Sequence, residues 1–247
     1  SIDLIDFLFS NVMKFDPSNF EKLDRDRFIL SKGHSAAALY AVAAKVGIID
    51  ASRLNGLRKI NHELQAHTHR GSTPWVEAST GSLGQGFSFA IGEAMGLKLQ
   101  GIENDVYVMI GDGELQEGEV WEGAMFAAHH ELKNLCTIID YNKLQSDDFN
   151  KNIMGLEPLV DKWRSFGWNA LEIDGHNDQE ISQAFARHKE SQIPTVIIAN
   201  TVKGKGVSYM ENIPSWHGSL KLSDEDLTIA FQELGGSKEE IEAAVNG

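Results

Sequence analysis

The sequence predicts an α/β protein with a doubly wound, mainly parallel sheet and helices on both faces. Short runs rich in β-branched residues alternate with longer stretches of helical periodicity, a pattern typical of parallel strands joined by crossover helices. The runs VYVMI at 106–110 and TVIIA at 195–199 are continuously apolar. Continuous apolar character is expected of strands that are buried on both faces. Together the two patterns favour a sheet that is covered by helices on each side.

Each element follows from a local signal in the sequence. Strands are predicted at four short apolar runs: Asp105–Ile110, Leu135–Asp140, Asn169–Ile173 and Thr195–Asn200. Helices are predicted over the stretches before and between these runs: Ser35–Val46, Leu83–Gln100, Glu117–His130, Leu159–Phe166 and Asp178–Glu190. In open parallel sheets, ligands bind beyond the carboxyl ends of the strands. We therefore expect the functional residues directly after the strands.

Length and charge restrict the class of protein. The chain has 247 residues, enough for a single large α/β domain over 1–247. Its 22 basic and 36 acidic residues give a net charge of −14, which argues against a nucleic-acid or membrane partner because both need clustered cations. The single cysteine, Cys136, lies in an apolar run, so we expect it to be buried. A lone buried thiol fits a reducing compartment, and a cytoplasmic location is predicted.

A pair of oxygen ligands follows two consecutive predicted strands. Asp112 lies in the turn Gly111-Asp112-Gly113, and Asn142 comes thirty positions later, after the next strand. Carboxylate and amide oxygens suit Mg²⁺ or Ca²⁺. Glycines let the backbone approach a phosphate closely, and the start of the following helix favours negative charge. The sequence therefore predicts a site for a divalent cation and a diphosphate.

This arrangement resembles the thiamine-diphosphate signature of transketolase-like enzymes, and the resemblance implies the thiamin diphosphate-binding fold. It implies that Asp112, Asn142 and the backbone of Leu144 bind Mg²⁺, for which Ca²⁺ or Mn²⁺ can substitute. It also implies that residues around the two strand ends and in the Thr80–Gly86 loop (TGSLGQG) contact thiamine diphosphate: Gly81, Ser82, Leu83, Gly111, Asp112, Gly113, Glu114 and Asn142.

Further segments make the resemblance specific to transketolases. They are RDRFILSKGH at 25–34, GELQEG at 113–118, VKGKG at 202–206 and WHG at 216–218. By resemblance, His34, His67 and His217 are catalytic, and His67 and His217 also contact the cofactor. Imidazole suits this chemistry because it gives and takes protons near neutral pH. The residues His67-Thr68-His69 replace the family's usual His-Pro.

The resemblance also implies an assembly. Glu117 and Glu122 match positions at the family's subunit interface, although a solvated start of a helix explains them equally well. Gly84, Ser88, Gly92 and Gly96 form a small-residue stripe, which allows close helix packing. We expect the pyrimidine-binding and C-terminal domains on a second chain, in a two-plus-two heterotetramer. A further active-site histidine is expected before Ser1.

The predicted function is the N-terminal subunit of a transketolase, active only with its partner. Such an enzyme moves a two-carbon ketol unit from a ketose (phosphate) to an aldose (phosphate), as in pentose phosphate metabolism. Three alternatives stay open: chemistry on an unusual sugar, a thiamine enzyme of the 2-oxo acid dehydrogenase or deoxyxylulose-phosphate synthase type, and a subunit that has lost catalysis. The GELQEG segment and the three histidines argue against another thiamine enzyme, and the intact Asp112, Asn142 and histidines argue against a subunit that has lost catalysis.

Overall fold

The computed structural model describes residues 1–146, 148–217 and 222–246. They form two compact units. The first, which we call the sheet unit, comprises Ser1–Tyr141 and Leu156–Thr201. The second unit comprises Asn142–Gly155 and Val202–Gly247.

The described strands form two sheets. In chain order they are β1 Arg27–Leu30, β2 Val106–Gly111, β3 Leu135–Tyr141, β4 Leu144–Gln145, β5 Asp148–Phe149, β6 Asn169–Asp174 and β7 Thr195–Asn200. Five of them form a parallel sheet in the order β1-β2-β3-β7-β6 within the sheet unit. The short β4 and β5 pair antiparallel in the second unit. The predicted α/β fold with a mainly parallel sheet is confirmed.

Helices cover both faces of the sheet. The described helices are α1 Ile2–Phe7, α2 Ala36–Lys45, α3 Gln85–Gln100, α4 Gly118–His129, α5 Asn150–Ile153, α6 Leu159–Ser165, α7 Asp178–Glu190, α8 Asp224–Glu233 and α9 Lys238–Asn246. One hydrophobic core lies between the sheet and α3, α4 and α6, and the other between the sheet and α1, α2 and α7. Alternation along β2 supplies both: Val108 faces the first core and Tyr107 the second.

The strand β1 was not predicted, because two charged residues at its start, Asp26 and Arg27, obscure the apolar pattern. Arg27 begins the strand and is buried, and its Nε lies 3.2 Å from Glu93. Asp26, also buried, accepts hydrogen bonds from the backbone N–H groups of Lys14 at 2.8 Å and Asp105 at 3.0 Å. These polar groups are satisfied inside the protein, so a charged sequence is compatible with a buried strand.

Parallel pairing brings the carboxyl ends of the strands to one edge. Gly111 of β2 is in register with Asp140 of β3, and Tyr141 is in register with Asn200 of β7. The segments that carry the predicted functional residues therefore start next to one another. Among the helices of the described residues, none combines the length and apolar character that a bilayer-spanning segment needs.

None of the three described helices of the second unit was predicted: besides the short α5, there are two helices after residue 222. The first, α8, begins with a capping box in which Ser223 and Asp226 each bond the other's backbone N–H. This sequence signal precedes a polar helix with one buried residue, Ala230, so hydrophobic periodicity does not reveal it. Helix α9 is also polar, and hydrophobic periodicity does not reveal it either.

Candidate functional site

The turn after β2 carries the predicted metal ligand Asp112. Its side chain is 3% exposed, and its Oδ1 accepts a hydrogen bond from the Gly113 N–H at 2.8 Å. Asp112 thus caps the single 3₁₀ turn Gly113–Gln116, and α4 starts two residues further on, at Gly118. A carboxylate held at the carboxyl end of a parallel strand is well placed to meet a cation in the crevice.

Glu114, two residues after Asp112, is fully engaged by protein donors. Its Oε1 accepts the Gly84 N–H at 2.9 Å and the Ser31 hydroxyl, and its Oε2 accepts the Gly111 N–H at 3.0 Å. Only 2% of Glu114 is exposed. Burial raises the pKa of this carboxyl, although its donors and the charge of Lys32 oppose the shift.

A buried ion pair lies beside this turn. The Lys32 Nζ, just after β1, is 2.6 Å from Asp140 Oδ2 near the end of β3. The Thr201 hydroxyl donates to the other oxygen of Asp140 at 2.5 Å. Burial alone would raise the pKa of Asp140, but the Lys32 ammonium, and after it the amino group and hydroxyl of Ser1, hold it well below its usual range. The ion pair fixes the ends of β1 and β3 together.

Two glycines allow the loops to pack this closely. A Cβ at Gly33 would lie 2.7 Å from Thr80 Oγ1 and 2.8 Å from the Thr80 carbonyl carbon. A Cβ at Gly86 would lie 2.6 Å from the Cα of Ser31. The Thr80 hydroxyl also donates to the Leu30 carbonyl at 2.6 Å. The loop that was predicted to touch the cofactor is therefore fixed directly against the end of β1.

The loop residues themselves differ in exposure. Gly81 has φ +151°, and a Cβ there would lie 3.1 Å from the imidazole of His67. Ser82 and Leu83 are exposed, and Leu83 precedes the start of α3 by two residues. His67 and Thr80 line a cavity of about 500 Å³. The structure thus brings His67 and the predicted cofactor-binding loop together.

The other predicted catalytic histidine of the sheet unit is His34. It lies on the 3₁₀ turn Gly33–Ser35 directly after β1, and its side chain is exposed. His34 therefore starts from the same edge of the sheet as the Asp112 turn. His69, two residues after His67, lines the same cavity as His67 and is within 3.2 Å of the Ser72 hydroxyl.

The second unit carries Asn142, Leu144 and His217. Asn142 Oδ1 accepts the Leu144 N–H at 3.0 Å across Lys143, whose φ of +65° lies in the left-handed region. This tight turn directly follows β3 and keeps the two predicted metal-binding positions together. The Lys203 Nζ lies 2.6 Å from His217 Nδ1.

The contact with Lys203 selects the tautomer of a neutral His217 ring. An ammonium group can only donate, so Nδ1 accepts and the proton of the neutral ring is on Nε2. The segment VKGKG marks this region in the sequence, but no role for Lys203 was predicted from it. Gly218 of the WHG segment lies outside the described residues.

The two predicted interface residues are exposed. Glu117 occupies the N-cap position of α4 but makes no side-chain capping hydrogen bond, and Glu122 lies one turn into the helix. On α3, nothing lies within 4 Å of a Cβ placed at Gly92 or Gly96. The small-residue stripe of α3 therefore has no close neighbour at these two glycines in the described residues.

The described residues fit an anionic cofactor with a cation. The buried Asp112 is a hard oxygen ligand, and the glycines on either side of it have no side chain that would block a ligand from approaching the turn. In residues 1–146, 148–217 and 222–246, no group of three or more His, Cys, Asp or Glu side chains is arranged to hold a metal ion.

Comparison with known proteins places this geometry in a family. The sequence model described as "Transketolase, thiamine diphosphate binding domain" matches residues 1–244. The chain belongs to this transketolase family. The predicted relationship and the thiamine-diphosphate-binding class are therefore confirmed.

Relatives include separate subunits and complete enzymes. A 6-deoxy-6-sulfo-D-fructose transketolase subunit from a Clostridium strain is 43% identical, with 92% of this chain matching 82% of the relative. An apulose-4-phosphate transketolase subunit from Actinobacillus succinogenes is 37% identical, with 94% of this chain matching 84% of it. Human transketolase is 38% identical over 87% of this chain, but the match covers 34% of that enzyme.

Solved transketolases have the same fold. The enzyme from Campylobacter jejuni superposes with a TM-score of 0.87 at 27% identity, over 99% of this chain and 44% of that one. The enzyme from Leishmania mexicana gives 0.88 at 26% identity, over 99% and 42%. The chain thus spans less than half the length of the solved transketolases that it matches.

Proposed function

We propose that this chain is the thiamine-diphosphate-binding subunit of a two-chain transketolase. The observation that carries the proposal is the buried Asp112 in its glycine turn, at the carboxyl end of β2, in a chain that matches the family over 1–244. Relatives of similar length are named as transketolase subunits, which supports a second chain. In the proposed assembly, the second chain supplies the pyrimidine-binding and C-terminal domains.

Mg²⁺ is the proposed metal, with Ca²⁺ or Mn²⁺ as substitutes. Asp112, Asn142 and the Leu144 carbonyl would hold it, since all three are hard oxygen donors. The loop Gly81–Leu83 and the turn Gly111–Gly113 would contact the cofactor, which when bound supplies the carbanion-stabilising chemistry of ketol transfer. The Asn142–Leu144 hydrogen bond supports the proposal because it holds two of the three metal-binding positions in one turn.

The three histidines would handle protons on the sugar. His34 and His67 are exposed imidazoles that can donate to or accept from substrate hydroxyls. His217 would present its Nε2–H as a donor, because Lys203 occupies Nδ1. His67 and His217 are also proposed to contact the cofactor. This division leaves the two-carbon transfer to the cofactor and the proton movements to this chain.

The proposed assembly is two copies of each chain. On the sheet unit, the exposed apolar side chains Phe89, Met125 and Phe126 lie on α3 and α4, the helices that also carry Gly92 and Glu122. An apolar surface next to an open small-residue stripe is suited to packing against another subunit. We propose this surface as the subunit interface.

The substrates are proposed as a ketose and an aldose, most simply as their phosphates. The two relatives named for 6-deoxy-6-sulfo-D-fructose and apulose-4-phosphate favour a sugar outside the pentose phosphate set. A cytoplasmic location is proposed from Cys136, a free and buried thiol in a chain with one cysteine.

Reconstitution tests the function. The tagged chain is purified from its native host with its partner, and the two chains are then separated and assayed alone and recombined. With thiamine diphosphate and Mg²⁺, we expect ketol transfer from a panel of ketose phosphates only in the recombined sample. Release of CO₂ from pyruvate by the pair, or ketol transfer by this chain alone, would contradict the proposal.

A further inference from the structure

We infer that Glu114 is a positioning residue that clamps the two proposed cofactor-binding loops together before the cofactor binds. The resemblance predicted that Glu114 contacts the cofactor. In the structure, its two oxygens instead join three separate segments: the end of β1 through Ser31, the loop before α3 through Gly84, and the turn after β2 through Gly111. The inference rests on the proposed function for its consequence, and on these contacts for its existence.

The contacts leave Glu114 little capacity for a ligand. It is 2% exposed, and both oxygens already accept from protein donors. The N–H groups of Gly84 and Gly111 point to Glu114, so these two amides are not free for a diphosphate. Glu114 therefore acts through the glycine loops and not by touching the cofactor.

The clamp has a reason in the backbone of the loops. Gly84, the N-cap residue of α3, has φ +88°, a left-handed conformation that glycine adopts easily. A buried N–H at such a position needs an acceptor, because an unpaired one costs free energy. Glu114 supplies the acceptor for Gly84 and Gly111 at once. The relative position of the two loops is thus set by one carboxylate.

The chain offers a matched control at the opposite end of the sheet. Asp26 is also 2% exposed and also accepts from two backbone N–H groups and one side chain, the Asn104 amide at 3.1 Å. Glu114→Gln and Asp26→Asn make the same chemical change in equivalent surroundings. Each variant replaces one acceptor oxygen by an NH₂ group that faces a donor.

The test combines two measurements on the isolated chain. Amide hydrogen exchange without cofactor reports on Gly84 and Gly111, and calorimetric titration with thiamine diphosphate in saturating Mg²⁺ reports the Kd. In Glu114→Gln we expect hydrogen exchange at both glycines to accelerate at least about tenfold and the Kd for thiamine diphosphate to rise about tenfold. A tenfold change corresponds to the loss of about one buried hydrogen bond. In Asp26→Asn we expect thermal stability to fall as much as it does in Glu114→Gln, but the Kd for thiamine diphosphate to stay within about twofold of the wild-type value.

Each outcome decides the inference. Unchanged exchange at Gly84 and Gly111 in Glu114→Gln overturns the clamp, and faster exchange with an unchanged Kd overturns its role in cofactor binding. If the Kd rises equally in Asp26→Asn, the weaker binding reflects a general loss of stability, and this result also overturns the role of Glu114 in cofactor binding. If Glu114→Gln does not fold, Ser31→Ala removes one of the three contacts and is expected to raise the Kd about threefold. If the isolated chain does not bind thiamine diphosphate, the titration is made on the recombined two-chain protein. Absence of binding there as well overturns the proposed function, while the exchange data still decide whether the clamp exists.

Discussion

Replacing Gly86 by alanine should disrupt the contact between α3 and the end of β1. The added Cβ would lie 2.6 Å from both Cα and Oγ of Ser31 and 2.7 Å from its Cβ. Ordinary contacts of a Cβ begin near 3.4 Å, so the helix start must move by about 0.8 Å. Overpacking of this kind costs about 1–3 kcal/mol, and the backbone contact favours the upper end.

The gain in helix propensity opposes this cost. Alanine is favoured over glycine inside a helix by about 1 kcal/mol, so we expect Gly86→Ala to lower the free energy of unfolding by about 2 kcal/mol. Gly92→Ala on the same helix is the control, because nothing lies within 4 Å of its added Cβ. It should raise the free energy of unfolding by about 0.5–1 kcal/mol.

Urea unfolding of both variants measures the difference. It should be repeated at two protein concentrations, because assembly through α3 would make the stability depend on concentration. Gly86→Ala should also weaken thiamine diphosphate binding, since it displaces the Ser31 hydroxyl from the Glu114 clamp. A Gly86→Ala protein as stable as Gly92→Ala would refute the reasoning from close packing.

Three further substitutions test separate parts of the structure. Lys32→Met removes the lysine that pairs with buried Asp140 and leaves that carboxylate with Thr201 and Ser1 as partners, so the free energy of unfolding should fall by about 3 kcal/mol in urea unfolding. Lys45→Met, in an exposed pair, should change it by less than about 1 kcal/mol. Burial alone would raise the pKa of Asp105, but the neighbouring histidine and lysine lower it, so its ionised form stabilises the fold. That contribution to stability is present above about pH 4 and is lost as the pH falls through the lowered pKa. Curves of unfolding free energy against pH for wild type and Asp105→Asn should therefore converge in acid. Parallel curves would contradict this expectation. Lys203→Met removes the ammonium group from the His217 imidazole and should lower kcat/KM of the recombined enzyme at least about tenfold. The control Lys205→Met, at an exposed lysine, should leave kcat/KM unchanged. Equal losses in the two variants would contradict a specific contact.

The parts of the fold that the sequence predicts correctly have long, uniform patterns. The four predicted strands and five predicted helices were found within two residues of the expected bounds. Continuous apolar runs such as Thr195–Asn200 leave little choice but a buried strand. By contrast, β1 is four residues long and begins with Arg27, whose charge is neutralised by a residue far along the chain. No local pattern reveals such a partner.

The candidate site shows the same limit. The positions of Asp112 and Asn142 directly after β2 and β3 could be predicted, because each follows a recognisable strand, whereas their role as metal ligands stays a prediction. The clamp by Glu114 could not, because its donors come from three segments that only the sheet register brings together. The Lys203–His217 contact is equally invisible in the sequence, since it depends on the fold of the second unit.

The central claim is that Asp112 binds thiamine diphosphate through a divalent cation. Calorimetric titration of thiamine diphosphate into the chain with Mg²⁺ tests it most directly, with and without EDTA, in wild type, Asp112→Asn and the exposed control Asp161→Asn. We expect binding that EDTA abolishes, that Asp112→Asn weakens by more than about tenfold and that Asp161→Asn leaves unchanged. Binding of equal affinity in EDTA, or in Asp112→Asn, would contradict the claim.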